Sequence, residues 1–236
     1  MTQEVWITGL GAVTAAGDGV ASLAAALYRD ESVAAPSGDG RWLARAADPD
    51  VGRAGRRLDR SGRLFLAAAR EAWHDAGFDA APPAAPDRVA LLEGSSVGPM
   101  GEIISTERAR CRAHDTSLPA PGLLVRLMMG AGGSTFAQEH GLRGMVHALS
   151  AGSVSAALAI AEGLWKIRSG QADVVICGGS EAPLDDEIVA VFEAAGVLAP
   201  RGPTLPCRPF DAERAGTMLG EGAGVLVLES AASARS

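Results

Sequence analysis

Residues 153–181, SVSAALAIAEGLWKIRSGQADVVICGGSE, decide the fold. From Ser153 to Arg168, Ala156, Ala157, Leu158, Ile160, Ala161, Leu164 and Ile167 cover more than one side of a helix. A surface helix carries one apolar stripe, so a helix apolar on several sides belongs in an interior. Gly170 stops it. Asp173 to Cys177 then reads as an apolar strand ended by Gly178-Gly179. The overlapping run Ala148 to Trp165 approaches the length of a membrane span. Its serines, two glycines and Glu162 assign it to the end of a strand followed by a core helix.

Working outward, Val5 to Val13 reads as a strand and Ser22 to Tyr28 as a short helix. Gly38 to Arg57 is irregular, broken by glycines and Pro49. Asp59 is placed to cap a helix running to about Ala76, with Gly77 ending it. Arg88 to Glu93 is a short apolar strand. Gly101 to Arg112 is helical, and Pro121 to His140 is a second helical region loosened by Gly130, Gly132 and Gly133. Met145 to Ala151 is a strand, Asp186 to Ala195 a helix, and Gly222 to Glu229 the last strand. Strands alternating with helices imply an α/β protein with a mostly parallel sheet. Nothing marks a second domain, so residues 1–236 read as one.

Nearly half of the 236 residues, 47%, are apolar, which argues against disorder. The net charge of −7 argues against nucleic-acid binding. The three cysteines, Cys111, Cys177 and Cys207, are an odd number without pairing-type spacing, as expected in a reducing cytoplasm. The start MTQEVWITGLGAV lacks the basic segment of a signal peptide, and no partnership with a membrane is expected. No metal-ligand spacing appears. Gly9-Leu10-Gly11, near the end of the first strand, could open a dinucleotide fingerprint, but Thr14 stands where its third glycine belongs, so that pattern fails. Gly220-Glu221-Gly222-Ala223-Gly224 precedes a strand, so it is a tight turn and not a phosphate cradle. ALSAG around Ser150 brushes against a serine-hydrolase elbow, yet no histidine follows His147 to complete a triad. No cofactor is implied.

Five segments, in order, resemble β-ketoacyl synthases: VWITGLGAVTAAGDGV from Val5, DRSGRLFLAAAREAWHDAGF from Asp59, RVALLEGSSVG from Arg88, the stretch from Ser153, and RPFDAERAGTMLGEGAG from Arg208. The resemblance implies the N-terminal half of a thiolase-like fold: one mostly parallel or mixed five-stranded sheet with flanking helices. It further implies that the C-terminal half, which carries the family's two catalytic histidines and part of its oxyanion hole, is absent from residues 1–236.

In the family a nucleophilic cysteine opens the central helix in an A-C-x-S-G turn, and here Ser153 occupies that position. Eight residues separate the Gly141–Gly144 GLRG motif from Ser153, as the family's spacing requires, and counting back from Gly170 and Asp173 also reaches Ser153. Leu149 would need a compensating deletion and insertion. The exchange matters chemically. A thiol of pKa about 8.5 becomes a thiolate with a modest shift at a helix N-terminus, whereas a serine hydroxyl needs a positioned base. His74, His114, His140 and His147 lie in none of the family's motifs. Ser153 is therefore read as a helix N-cap, with a nucleophile assisted by a partner's base as the alternative.

The resemblance implies a non-catalytic, chain-length-factor-like subunit. It would pair with a full-length β-ketoacyl synthase, as a heterodimer or heterotetramer, in type II polyketide or fatty-acid-type biosynthesis, with polyene-type systems suggested by the short form. Val97 and Met100 are expected near the floor of its acyl tunnel, and Leu124, Leu127 and Met128 in a segment reaching across the dimer. Arg56, Arg57 and Arg60, within a cluster that includes Arg41, Arg45, Arg53 and Arg63, are candidates for docking an acidic acyl carrier protein; a solvated face is the plainer reading. An acyltransferase or hydrolase using Ser153, and a purely structural scaffold, are the competing classes.

Overall fold

The computed structural model describes residues 3–30, 32–83 and 85–235. Its centre is a six-stranded sheet in the order β2-β1-β8-β7-β5-β6. The strands are β1 (Val5–Thr14), β2 (Gly17–Asp18), β5 (Val89–Gly94), β6 (Val146–Leu149), β7 (Val174–Glu181) and β8 (Gly222–Ser230); β3 (Ala35–Pro36) and β4 (Trp42–Leu43) form a separate small ribbon. The helices are α1 (Val20–Arg29), α2 (Arg60–Asp75), α3 (Met100–Arg112), α4 (Leu123–Arg126), α5 (Ala131–Glu139), α6 (Ser155–Arg168) and α7 (Asp186–Ala194).

Two sequence expectations need correcting here. The main sheet has six strands, not five, because Gly17–Asp18 folds back antiparallel on β1. Its character is mixed: β5 pairs parallel with β6 and β7, while β8 lies antiparallel between β1 and β7. Strand β7 also does not stop at Gly178-Gly179. Both glycines are paired on each side, Gly178 with Glu93 and Val225 and Gly179 with Gly94 and Gly224, so the strand runs on to Glu181.

The sheet is covered on two faces. Helices α2 and α5 pack on one, over Val13, Val89, Leu91, Ile176, Val225 and Val227. Helix α6 packs on the other, over Leu92, Val175, Cys177 and Leu228. Alternation along each strand sends its residues to the two faces in turn. Cys177 is fully buried, and burial pushes its thiol up to about 12, which leaves it an inert core thiol.

Helix α2 begins as its sequence dictates. The Asp59 carboxylate accepts from the Ser61 and Gly62 amides at 3.1 and 3.0 Å, satisfying two of the free N–H groups of the first turn. Its carboxylates also serve β1. A register shift between Ile7 and Gly9 interrupts the β1–β8 ladder, and nearby amides find partners on α2 instead: Leu10 donates to Asp75, and Ala12 and Val20 donate to Glu71.

The irregular stretch before α2 is tied down by Glu221, whose side chain is almost wholly buried. Arg60 grips it through Nε and Nη2 at 2.9 and 2.7 Å, and the more exposed Arg45 adds a weaker contact at 3.4 Å. Arg60 is therefore engaged in a structural ion pair. Removing one partner of a buried pair leaves an uncompensated charge. Arg60→Ala should cost about 3 kcal/mol and Arg45→Ala under about 1 kcal/mol, both read from urea midpoints.

Candidate functional site

The C-terminal ends of β5 and β7, the start of β8 and the N-terminus of α6 converge on a cavity of about 600 Å³. Its lining includes Ser153, Ser155, Ala156, Ser96, Val97, Ser180, Glu181, Phe192 and Met218. Two close approaches build it. A Cβ on Gly94 would lie 2.5 Å from the Ser155 carbonyl carbon, and one on Gly179 would lie 2.8 Å from the Ala156 Cβ. Only bare backbone at these strand ends allows α6 to seat so deeply.

Helix α6 starts at Ser155, and Ser153 does not cap it. Ser155 Oγ donates to the Gly152 carbonyl at 2.6 Å and accepts from the Ala151 amide at 2.9 Å, which locks the turn from within. Ser153 stands on the outside of that turn, exposed and in the cavity wall. The N-cap reading thus fails because the hydroxyl two residues on holds the turn.

Glu181 is the titratable side chain in the cavity lining among the described residues. It is engaged by the loop after β5: Ser95 Oγ donates to it at 3.2 Å, and the Ser96 and Val97 amides donate as well. It therefore fixes the backbone of Val97 and does not stand free as a base. Ser180 Oγ, also in the lining, is buried without a hydrogen-bond partner. The histidines are elsewhere. His147, on β6, points toward Glu162 at 3.9 Å; His74 pairs with Asp79 at 2.7 Å; His140 stacks at 4.4 Å on Trp73, where burial lowers its pKa.

Of the expected tunnel residues, Val97 lies half-buried in this cavity beside Ser153. Met100 opens α3 and is largely exposed. Leu124, on α4, is exposed and Leu127 half-buried just after it. Met128 lines a second, larger groove of about 1100 Å³, together with Val125, Arg53, Arg56 and Arg57. Arg56 and Arg57 are exposed along its rim. The structure thus brings Val97 to Ser153 and Met128 to the two arginines, but leaves Met100, Leu124 and Leu127 outside both spaces. Sequence reasoning missed the parts played by Ser180, Glu181 and Phe192; a Ser-Glu pair directly after Gly178-Gly179 was the available signal.

The outer side of α6 is the other notable surface. Ser155, Ala159, Gly163 and Ile167 form the buried stripe, while Val154, Leu158 and Trp165 face outward, the last 60% exposed. Ile7 and Leu10 on β1 are exposed as well. No helix among the described residues is long and apolar enough to cross a membrane.

Comparison with known proteins identifies the class. The family described as "Beta-ketoacyl synthase, N-terminal domain" matches residues 48–234, and the chain belongs to the β-ketoacyl synthase family. It is 35% identical over 187 residues to the tetracenomycin polyketide synthase ketoacyl synthase alpha subunit of Streptomyces glaucescens, covering 75% of this chain and 43% of that one. Among solved structures it is similar to the ishigamide ketosynthase/chain length factor, with TM-score 0.83 and 30% identity. It is also similar to a β-ketoacyl synthase from Burkholderia phymatum STM815, with TM-score 0.83 and 29% identity; each of these two alignments covers all of this chain and 60% of the other. The fold is thiolase-like, and the chain spans 42% to 60% of the length of these curated relatives.

The two serines of the α6 turn separate experimentally. Ser155→Ala should cost about 1 kcal/mol by removing two hydrogen bonds, while Ser153→Ala should change stability by less than about 0.5 kcal/mol. Gly94→Ala should cost about 1–3 kcal/mol or more through overpacking. Thermal denaturation of the three variants checks the order.

Proposed function

We propose that the chain is a non-catalytic, chain-length-factor-like subunit that pairs with a full-length β-ketoacyl synthase in type II polyketide or fatty-acid-type biosynthesis, shaping or stabilising its acyl tunnel. The observation that carries this reading is the apolar outer face of α6, behind the turn where the resemblance puts Ser153 in the place of the family's nucleophile. A fully exposed large aliphatic side chain forgoes about 1.5–3 kcal/mol of burial, so Val154, Leu158 and Trp165 favour a covering polypeptide. The similarity to a ketosynthase/chain length factor supports the same reading.

Three further proposals follow from it. Val97 and Met100 lie near the floor of the acyl tunnel, while Leu124, Leu127 and Met128, in and just after α4, belong to a segment that reaches across the dimer to the partner's share of it. Arg56 and Arg57, exposed on the rim of the groove that Val125 and Met128 line, dock the acyl carrier protein, with charge complementarity steering the encounter. The titratable side chain in the cavity of Ser153 among the described residues, Glu181, is held by the loop after β5, so nothing favours Ser153 acting as a nucleophile unaided.

Co-expression with candidate full-length ketosynthases tests the pairing: the chain should co-purify at a defined stoichiometry, and the pair should make product that the ketosynthase alone does not. Failure of every candidate to associate would count against it. In an active pair, Val97→Phe should shorten the product, and an unaltered product profile would remove Val97 from the tunnel. Arg56→Glu with Arg57→Glu should weaken carrier-protein binding at least tenfold at low salt; unchanged binding would return these arginines to an ordinary solvated face.

A further inference from the structure

We propose that Glu93 is a proton-operated latch: its neutral form seats the N-terminus of α5 between α2 and β5, and its ionisation loosens that seat together with the residues 123–130 that lead into it. The inference is independent of the partner reading above.

Glu93 lies near the end of β5, on the face covered by α2 and α5, and is 3% exposed. Its Oε2 accepts the Gly133 amide at 2.7 Å, in the first turn of α5. The contact leaves no slack. A Cβ on Gly132 would lie 2.7 Å from the Gly62 carbonyl oxygen of α2, and one on Gly133 would lie 3.0 Å from Glu93 Oε2 itself. Two helix N-termini therefore meet over two buried carboxyl groups, Asp59 at the head of α2 and Glu93 beneath α5.

The charges around Glu93 do not compensate it. On α2 the facing group is Asp59, itself acidic; Arg60 is turned to Glu221 and Arg63 to Asp48. On α5 the one charged residue is Glu139, at the far end and held by Arg70. The residues paired with Glu93 on the adjoining strands are Ala148 and Gly178, which carry no charge. Burial pushes Glu93 up to about 7; the Gly133 amide opposes the rise and the charge of Asp59 adds to it. The folded value stands above the ordinary 4.5. The stabilisation is thus complete below about 4.5 and is lost as pH rises toward and through about 7, levelling off above it.

The consequence reaches beyond α5. Gly130, which starts the helix from a left-handed conformation, lies against Ala148 of β6. Met129 packs beside Gly98, in the loop whose amides Glu181 holds. Met128 and Val125 form one wall of the groove facing Arg53, Arg56 and Arg57. Loosening α5 changes that wall.

Hydrogen exchange of the intact chain between pH 5 and 8, corrected for the chemical exchange rate, tests the latch. Peptides from 128–139 should lose at least tenfold in protection between pH 5 and 7.5 and flatten above, while α7, whose local opening leaves Glu93 in place, keeps its protection. Glu93→Gln retains an acceptor for the Gly133 amide and should make the 128–139 profile flat. Unchanged protection of this segment in the wild type, an equal loss in α7, or the same pH dependence in Glu93→Gln would each overturn the proposal. The wild-type comparison with α7 decides the matter even where the variant does not fold.

Discussion

The seat of α6 on the ends of β5 and β7 is the constraint on which the rest of the architecture turns. Gly94 and Gly179 let the first turn of the helix sink onto the sheet, and the small residues Ala159 and Gly163 continue the close fit along Val175 and Cys177. The depth of that seat sets where the 151–155 turn stands, and hence where Ser153 meets the cavity. It also leaves the opposite side of the helix pointing away from its own sheet. Leu158 and Trp165 are the cost of a helix apolar all round that is packed on one side only.

Acidic side chains do much of the fastening around this seat, each by satisfying groups that the strand ladders leave free. Glu71 and Asp75 take amides of β1 and the turn after it. Glu181 gathers the amides of the loop after β5. Glu221 anchors Arg60, and Glu93 receives the first turn of α5. Backbone N–H groups in a packed interior need such partners, and a carboxylate that accepts several of them rigidifies a loop without a regular ladder. The cavity beside Ser153 is accordingly framed by fixed backbone.

Much of this was legible in the sequence. The Asp59 cap, the break between α4 and α5 at Gly130 and the long central helix follow from capping chemistry, glycine and apolar spacing. What was not legible depends on long-range contact. Gly178-Gly179 looks like a strand terminator until β5 and β8 are known to pair with both. Arg60 looks like one more arginine in a basic run, because nothing local reveals Glu221, 161 residues away. Ser153 looks like a cap because the turn offers two serines, and only the geometry shows that Ser155 closes it. The tunnel residues inferred by resemblance divide for the same reason: Val97 and Met128 are placed by different loops and line different spaces.

The central claim is that the outer face of α6 is an interface awaiting a polypeptide. Hydroxyl-radical footprinting of Leu158 and Trp165, in the isolated chain and after mixing with a full-length ketosynthase, tests it most directly. Strong labelling in the isolated chain that falls at least fivefold in the mixture, with no change at exposed positions such as Leu118, is the predicted result. Equal labelling of Leu158 and Trp165 with and without the ketosynthase would contradict it.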